Sequence, residues 1–440
     1  MNSDILLIKD IASITIENLF SKIANQDGSA WLDSSLRFGD RGRYSYIARN
    51  PVFDISQNGH TILIKKPESE LKVLKNENVF DILESSWKDK NLFSVGYISY
   101  EAMLPFLGIK SKHPRKNMLH MLFYESVLKY DHDSDIITIS CPAKDNYDDL
   151  FDTLPEENES SFSPKSEWHS TITKKEYIDK INKIKWHIHE GDIYQANFTS
   201  RMDLKSTRAP FDTYKRLRRL NPAPYGCYIN FSDYQIISSS PERMFLKQGN
   251  YITSGPIKGT IARGNNVIEE NENLAKLLDS EKDKAELLMI VDLVRNDLGK
   301  IARTGTVSVD SIYKPEIYSS LIHLVSDISA ELKSDTKITD IFHALLPGGS
   351  ITGAPKKRAV EIIGENEDTP RGVYTGCIGY VDGETADFNI AIRTLTHSNG
   401  LYHIHAGGGI VADSDPENEY NEMLLKAKNL LKAVGISKEL

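Results

Sequence analysis

The sequence of 440 residues contains few cysteines, and none of them are close together. Its three cysteines, Cys141, Cys227 and Cys377, are widely separated and form no CxxC pair. A disulfide scaffold or a structural zinc site needs cysteines in even sets or at short spacings, so neither is predicted. The cysteine content therefore indicates a protein of a reducing compartment.

Long hydrophobic runs and an excess of positive charge are also absent. No apolar run approaches the ~20 residues that a membrane helix needs. The first twenty residues lack the basic stretch and apolar core of a signal peptide. Lys and Arg number 53 against 62 Asp and Glu, which gives a net charge of −9. This balance disfavours binding to nucleic acid or to a membrane, and we predict a cytoplasmic protein.

The sequence divides into a strand-rich first half and a second half in which strands mix with long helices. Runs such as "RYSYIARNP" and "FSVGYISYEA" carry β-branched and aromatic residues between turn residues. An acidic, Ser- and Pro-rich stretch over 143–170 is predicted to be a linker or surface excursion. We therefore expect an amino-terminal domain at 1–142 and a second domain at 171–437.

Helix signals in the second half are clear. One helix is predicted to end at Gly191, a second to run from a cap at Ser280 to Gly299, and a third from a cap at Asp415 to Gly435. The predicted strands cluster in meanders and do not alternate strictly with helices. This pattern favours an α+β fold with antiparallel sheets over a parallel, doubly wound fold.

Two glycine-rich segments are candidates for binding an anion. "LLPGGSITGAPKKRAVEII" lacks the spacing and the Lys-Ser/Thr ending of a nucleotide phosphate loop, but a helix N-terminus beside Lys356 suits an anion. In "YHIHAGGGIVADSD", the backbone amides of Gly407–Gly409 are able to approach a carboxylate closely. Taken alone, a bulge or tight bend is the better explanation of these three glycines.

Three acidic residues suggest a metal site. Glu419 and Glu422 share one face of the terminal helix, and Glu286 lies on a mostly apolar stripe, where a carboxylate needs a partner. The simpler alternative for Glu422 is an ion pair with Lys426 at i+4. Three such acids suit Mg²⁺, which prefers oxygen ligands and often bridges protein carboxylates to an anionic substrate.

One lysine lies in a run that is otherwise small, apolar or hydroxylic. Lys258 in "YITSGPIKGTIARG" is the residue in question, and burial there would favour the neutral, nucleophilic amine. Polar residues also stand at the ends of predicted strands. They are Glu242, Thr260, His323 and Arg393. A histidine in an apolar run is usually a core residue, whereas a buried arginine usually has an anionic partner.

Together these segments resemble the chorismate-binding enzyme family, which includes anthranilate synthase component I, aminodeoxychorismate synthase component I, and isochorismate and salicylate synthases. The resemblance covers most of the chain. It is strongest over 175–430, through "GDIYQANFT", "SSSPERMF", "SGPIKGTIARG", "PGGSITGAPKKRAVEII" and "HAGGGIVADSDPENEYNE". It implies two intertwined subdomains, with antiparallel sheets packed as a sandwich core and helices outside.

The resemblance also implies roles for the candidate residues. Glu286 and Glu422 would hold Mg²⁺, Glu419 would assist, and His323 would lie near the substrate ring and its leaving hydroxyl. The residues expected to bind chorismate or its carboxylates are Thr260, Lys356, Tyr374, Arg393, Gly407, Gly408 and Gly409.

Two positions distinguish between the activities of the family. Water-using members carry a lysine base where this sequence has Gln195, and glutamine cannot take a proton from water, so ammonia is favoured as nucleophile. The P-I-K-G-T form around Lys258 resembles aminodeoxychorismate synthase, whereas anthranilate synthases typically read P-I-A-G-T. In the former, the lysine attacks C2 of chorismate as the C4 hydroxyl leaves, and ammonia then attacks C4. Glu242 matches the general acid–base residue.

The resemblance thus predicts Mg²⁺-dependent amination of chorismate to 4-amino-4-deoxychorismate, for 4-aminobenzoate and folate synthesis. The alternatives are anthranilate synthesis and, from another class, a non-catalytic chorismate or tryptophan sensor. The sequence shows no glutaminase Cys-His-Glu arrangement, so ammonia is expected from a separate glutamine amidotransferase subunit in a heterodimer. The resemblance also implies a tryptophan pocket, lined by Ser34, Arg43, Tyr44, Pro224, Tyr225 and Gly226.

Overall fold

A computed structural model describes residues 4–8, 15–89, 92–114, 116–141, 147–151, 166–318 and 321–436. Most of the predicted linker over 143–170 lies outside these residues, as does the expected boundary at 142–143. No helix within the described ranges is long and apolar enough to cross a bilayer.

The described chain consists of many short strands and fewer, longer helices. The strands are β1 (Asp4–Ile8), β2 (Ala30–Asp33), β3 (Tyr44–Ala48), β4 (Phe53–Asn58), β5 (Thr61–Lys65), β6 (Lys72–Lys75), β7 (Phe93–Ile98), β8 (Leu119–Tyr124), β9 (Val127–Asp131), β10 (Ile136–Cys141), β11 (Ser166–Ser170), β12 (Gln195–Ser206), β13 (Tyr225–Asn230), β14 (Gln235–Ser240), β15 (Arg243–Gln248), β16 (Tyr251–Gly255), β17 (Ile257–Ala262), β18 (Ser308–Ile317), β19 (Leu321–Glu331), β20 (Gly353–Ala354), β21 (Cys377–Asp382), β22 (Thr385–Ile390), β23 (Thr394–Ser398) and β24 (Leu401–Ile410). The helices are α1 (Ile16–Ser21), α2 (Val79–Trp87), α3 (Tyr100–Met103), α4 (Asp148–Phe151), α5 (Lys174–His189), α6 (Pro210–Leu220), α7 (Val267–Asp279), α8 (Glu281–Ile301), α9 (Ile338–Leu345), α10 (Lys356–Asn366) and α11 (Pro416–Val434).

The strands pair antiparallel in two large sheets. The first runs in the order β1-β10-β9-β3-β2-β13-β14-β23-β24-β12-β11, and β20 pairs with β12. The second runs in the order β17-β19-β16-β15-β22-β21-β7-β8-β4-β5-β6, and β18 pairs with β19. Each sheet joins the two halves of the chain, through β2–β13 in the first and β7–β21 in the second. The predicted α+β fold with intertwined antiparallel sheets is therefore confirmed.

Three buried clusters define the layers. The cluster between the sheets includes Tyr46 of the first sheet and Tyr380 of the second. Leu217 of α6 and Leu430 of α11 pack with the first sheet, and Leu287 of α8 packs with the second. The sheets thus form a sandwich with helices on both outer faces, because each sheet buries both of its sides.

The two helices that carry the predicted acids begin where the sequence indicated. The Ser280 hydroxyl accepts a hydrogen bond from the Asp283 amide at the start of α8, and Asp415 caps α11 in the same way. The predicted end of α8 at Gly299 is wrong, since the helix continues to Ile301. Leu298 and Ile301 are buried in the second sheet's cluster, and their burial outweighs the ~1 kcal/mol cost of a helical glycine.

Candidate active site

Lys258 lies on β17, at an irregularity in its pairing with β19. The pairing shifts between Lys258, which is opposite Leu324, and Thr260, which is opposite His323. Gly259 between them has φ +74°, a backbone conformation that glycine adopts without strain. A Cβ there would lie 3.0 Å from the Cβ of Asp283, so the glycine also lets α8 pack closely against the lysine strand.

The amine of Lys258 reaches the glycine segment of β24 beside Gln195. A Cβ on Gly409 would lie 3.5 Å from Lys258 Nζ and would overlap Gln195 Nε2. Gln195 is fully buried, and neither atom of its amide has a hydrogen-bond partner among the described residues. Buried polar groups are normally satisfied, so the unpaired amide beside a lysine marks a place for a ligand.

Glu242 is a second titratable group beside Lys258. Its side chain is only 4% exposed, and Oε1 lacks a hydrogen-bond partner in the described structure. Burial raises the pKa of this carboxyl to about 7, opposed by Ser350 and Lys258. Burial lowers the pKa of the Lys258 amine, opposed mainly by Glu286. Both shifts favour a neutral amine and a protonated acid near neutral pH, which suits a nucleophile beside a proton donor.

His323 on β19 is hydrogen-bonded on one side of its ring and unpaired on the other. Its Nδ1 lies 2.9 Å from Thr260 Oγ1, while the buried Nε2 has no partner in the described residues. Burial, and secondarily Arg393, lower the pKa of the imidazole to about 3. The ring is therefore neutral near pH 7, and its free nitrogen is suited to a hydrogen bond with a ligand.

The three predicted metal acids lie on two helices around the glycine segment. A Cβ on Gly408 would be 3.2 Å from Glu419 Oε2 and 3.8 Å from Glu422 Oε1, so both carboxylates of α11 face this strand. Glu286 of α8 is close enough to Lys258 to raise the pKa of the amine. Among the residues that the structure describes, no group of three or more His, Cys, Asp or Glu side chains lies close enough together to hold a metal ion. The Mg²⁺ site expected at these acids therefore remains a prediction.

Lys426 is a site residue that the sequence analysis treated only as the helix partner of Glu422. Its Nζ lies 2.7 Å from Glu422 Oε1 and donates a 3.0 Å hydrogen bond to the Gly407 carbonyl. Burial raises the pKa of Glu419, and Glu422 adds to the shift. The carboxylates of Glu419 and Glu422 thus lie close together, and Lys426 supplies a positive charge that balances part of their negative charge. This oxygen-rich set fits a hard divalent cation equally well.

The three consecutive glycines belong to a regular ladder, so the alternative of a bulge is wrong. Gly407, Gly408 and Gly409 pair in sequence with residues 199, 198 and 197 of β12. On the other edge of β24, β23 pairs only as far as Ile404. No described strand pairs with that edge of the glycine segment, and its backbone groups are available to Lys426 and to a ligand.

The remaining predicted substrate residues do not share one environment. Arg393, at φ +50°, donates a 3.1 Å hydrogen bond to Asn221 Oδ1. Burial lowers the pKa of its guanidinium, and no carboxylate among the described residues opposes this. Lys356, by contrast, forms an ion pair with Asp297. Tyr374 is buried, and its ring stacks on His405 with the ring centres 5.2 Å apart.

Arg393 therefore retains capacity for an anionic ligand, whereas the charge of Lys356 is already balanced. Roles for Lys356 and Tyr374 in substrate binding remain predictions.

Arg371 organises the backbone around Gln195 and was missed by the sequence analysis. It is fully enclosed, and it donates to both carboxylate oxygens of Glu367, to the Asn197 carbonyl and to the Ile351 carbonyl. This network ties β12 to the segment before β20. Its ion-pair partner Glu367 is only four residues away, but the backbone carbonyls of Asn197 and Ile351, which give it its role in the fold, are far away along the chain.

The six residues predicted to form a tryptophan pocket do line one cavity. It lies beside the ion pair of Arg243 with Asp387, and Asp40 also contributes to its wall. The residues from the prediction that line it are Ser34, Arg43, Tyr44, Pro224, Tyr225 and Gly226. Binding of tryptophan there remains a prediction.

Comparison with known proteins shows the family to which the chain belongs. The profile of the chorismate binding enzyme family matches residues 34–432. Aminodeoxychorismate synthase component 1 of Bacillus subtilis (strain 168) is 32% identical over 428 residues, covering 90% of each chain. Anthranilate synthase component 1 of Acetivibrio thermocellus is 34% identical over 457 residues, covering 95% of this chain and 92% of the other.

The crystal structure of anthranilate synthase component I from Streptococcus pneumoniae TIGR4 aligns with a TM-score of 0.76 at 29% identity, covering 90% of this chain and 93% of the other. Relatives of both aminating kinds match to a similar degree, so these likenesses alone do not separate the two reactions. The family profile spans nearly the whole described chain, and the protein belongs to the chorismate-binding enzyme family.

Proposed function

We propose that this protein converts chorismate to 4-amino-4-deoxychorismate, with Lys258 as a covalent catalyst and ammonia as the final nucleophile. The observation that carries the proposal is the position of Lys258. Its amine lies beside Gln195 and Gly409, its pKa is lowered by burial, and Glu242 is close by. A residue that supplied only a positive charge would not benefit from a lowered pKa.

In the proposed reaction, Lys258 Nζ forms a bond to C2 of the ring while the bond from C4 to its hydroxyl breaks. The protonated form of Glu242 supplies the proton with which the hydroxyl leaves as water, since its pKa near 7 keeps that form populated. Ammonia then bonds to C4, the bond from Lys258 to C2 breaks, and Glu242 takes up the proton that ammonia loses. The free Nε2 of His323 donates a hydrogen bond to the leaving hydroxyl.

Charge complementarity supports chorismate as the ligand. Arg393 and Lys426 offer cationic groups toward the site, and Glu286, Glu422 and Glu419 would hold Mg²⁺. When bound, Mg²⁺ would neutralise these acids and bind a substrate carboxylate, which the acids alone would repel.

A metal test follows from this arrangement. Glu286→Gln or Glu422→Gln should each reduce turnover at least about a hundredfold and raise the Mg²⁺ concentration needed for half-maximal rate. Glu417→Gln is the matched control. Glu417 is an exposed acid of α11, the helix that also carries Glu422, and its carboxylate pairs with Lys174. Normal Mg²⁺ dependence in the two site variants would remove these residues from the metal site.

The described cysteines support an external source of ammonia. Cys227 and Cys377 are buried, and burial raises the pKa of each thiol, so neither provides the thiolate that a glutaminase needs. We therefore propose that a glutamine amidotransferase subunit supplies ammonia.

The test is identification of the product formed from chorismate, MgCl₂ and an ammonium salt at mildly alkaline pH. Aminodeoxychorismate supports the proposal. Anthranilate would support the second candidate, the reaction named for a relative that is 34% identical. No turnover would favour a sensor on the same fold.

A further inference from the structure

A small internal cavity lies between Glu242 and α8. Apolar side chains make up much of its wall, among them Met244, Ile290 and Val294. Lys258, the glycine segment and His323 do not line it, so the cavity adjoins the cluster described above through Glu242. Its volume of about 20 Å³ is room for one molecule the size of water.

Two polar groups without partners face this cavity. Glu242 and Ser350 both line it, and neither Glu242 Oε1 nor Ser350 Oγ has a hydrogen-bond partner in the described structure. The two side chains are only 4% and 7% exposed. The Ser350 hydroxyl is close enough to lower the pKa of the Glu242 carboxyl, although the two side chains are not aligned for a direct hydrogen bond. One small molecule that donates to the carboxylate and accepts from the hydroxyl would satisfy both groups.

We propose that this cavity binds one molecule of ammonia, held between Glu242 and Ser350, before it attacks the ring. The inference rests on the proposed function and deepens it. Ammonia fits the volume, and it has both a donor and an acceptor. Water has the same size and hydrogen-bonding groups, so the experiment below must separate the two.

The chemistry of the cavity favours neutral ammonia over ammonium. Neutral ammonia leaves Glu242 free to take up the single proton that the nitrogen loses after it bonds to C4, whereas ammonium would bring a second proton for the same carboxylate. Burial also disfavours the charged ion, and much of the wall is apolar. The pKa of Glu242, raised to about 7 by burial, is consistent with this uptake. The charged groups that act on Glu242 are Lys258 and Arg41.

Part of the cavity wall is formed by α8. Asp297 of α8 lines it there, is only 5% exposed and is paired with the buried Lys356. The same carboxylate pairs at 2.7 Å with Lys300, whose side chain is 57% exposed. Asp297 therefore lies between the cavity and a lysine that reaches solvent.

The first test uses steady-state kinetics with ammonium chloride as the nitrogen source and saturating Mg²⁺. Ser350→Ala should raise the KM for ammonia about tenfold and leave the KM for chorismate within about twofold. Ser326→Ala is the matched control, because Ser326 is equally buried and unpaired but does not line the cavity. An unchanged KM for ammonia in Ser350→Ala, or an equal rise in both KM values, would overturn the inference.

The second test enlarges the cavity. Ile290→Val removes one methylene from the wall, and the variant should accept methylamine, detected as a product heavier by one methylene. Ile236→Val, a fully buried change outside the cavity, should not. Equal use of methylamine by the wild type and both variants would contradict the inference. Failure of the proposed function looks different, since the wild type would then give anthranilate or no aminated product at all.

Discussion

Lys258 lies among charges that act on its amine in opposite directions. Burial and Lys426 favour the neutral form, whereas Glu286, Glu242 and Glu422 favour the ammonium form. A divalent cation on the carboxylates would cancel part of their effect and lower the pKa of the lysine further. The proposed nucleophile and the proposed metal site are therefore coupled at a single residue.

The first prediction concerns this amine. Chorismate and Mg²⁺ without ammonia should leave a ring-sized adduct, which mass spectrometry should locate on the peptide that contains Lys258. Lys258→Ala should lose the adduct and at least about 99% of turnover while still binding chorismate through Arg393 and Lys426.

The Lys258→Arg variant distinguishes covalent catalysis by Lys258 from a role in which the residue contributes only its positive charge. A guanidinium remains protonated and cannot attack, so this variant should be as inactive as Lys258→Ala. Substantial activity in Lys258→Arg, with no adduct in the wild type, would show that the residue contributes only its positive charge.

The second prediction concerns Glu242 and pH. Its pKa is raised to about 7, so the protonated form is present below pH 7 and is lost as the pH rises through that value. The rate of adduct formation, measured by rapid quench without ammonia, should therefore decline above about pH 7. Glu242→Gln should lower the rate about 10²- to 10⁴-fold and abolish the decline. A decline that persists in Glu242→Gln would assign it to another group.

Sequence reasoning identified those site residues whose environment depends on near neighbours in the chain. Lys258 was recognisable because its own run is small and apolar, and Gln195 because of its motif. Lys426 was not, since its i+4 partner Glu422 already explained it, and only the fold places it against the Gly407 carbonyl. The local pair of Arg371 with Glu367 gave no hint of its role, because only the fold brings it to the carbonyls of Asn197 and Ile351.

Among the elements, β24 contains two nearby glycines, Gly407 and Gly409, that have different structural roles. A Cβ on Gly407 would collide with the backbone carbonyl of Phe198 in β12. A Cβ on Gly409 would instead meet the end of the Gln195 side chain, and Lys258 lies just beyond. Gly407 therefore permits β24 to pair with β12, whereas Gly409 leaves space for the side chains of Gln195 and Lys258.

The third prediction separates these two roles. Gly407→Ala should lower the free energy of unfolding by about 1–3 kcal/mol, because backbone atoms must shift. Gly409→Ala should change stability less, because a side-chain end is able to move, but it should reduce turnover at least about tenfold by displacing Gln195. Urea unfolding and initial rates on both variants make the comparison. Equal loss of stability in the two would refute the distinction.

Element boundaries were predictable only where a local signal decides them. The caps at Ser280 and Asp415 are local, and both are present. The end of α8 depends on burial of Ile301 against the second sheet, which no local pattern near Gly299 reveals. The pairing of β2 with β13 likewise joins segments almost two hundred residues apart, so sequence periodicity predicted the strands but not their partners.

At the scale of the whole molecule, a buried ion pair joins the two halves. Arg41, from the segment before β3, pairs with Glu316 of β18 at 3.2 Å and also contacts Asp327 of β19. Arg41 and Glu316 are 4% and 3% exposed. Glu316 lies opposite His323 in the β18–β19 ladder, so this pair fixes the amino-terminal half against the strands that carry the site.

The fourth prediction tests that connection. Arg41→Met should lower the free energy of unfolding by about 3–5 kcal/mol, because it leaves the Glu316 carboxylate buried with one cation fewer. The double variant Arg41→Met/Glu316→Met should be more stable than the single variant. Arg43→Met is the control, since this partly exposed arginine pairs with Asp131 and should cost about 1 kcal/mol or less. Equal effects of the two arginine variants in urea unfolding would contradict the prediction.

The shared sheets also impose an order of events during synthesis. When β7 leaves the ribosome, its partner β21 is still roughly 280 residues from being made. At about 5–20 residues per second, that strand waits roughly 15 to 55 s with one edge unpaired. All six residues of β7 are buried in the finished fold, so the nascent chain holds a mostly apolar, unpaired edge open to other chains throughout this interval. Protection of that edge, by a chaperone or by slow release from the ribosome, then governs the yield of folded enzyme in a cell.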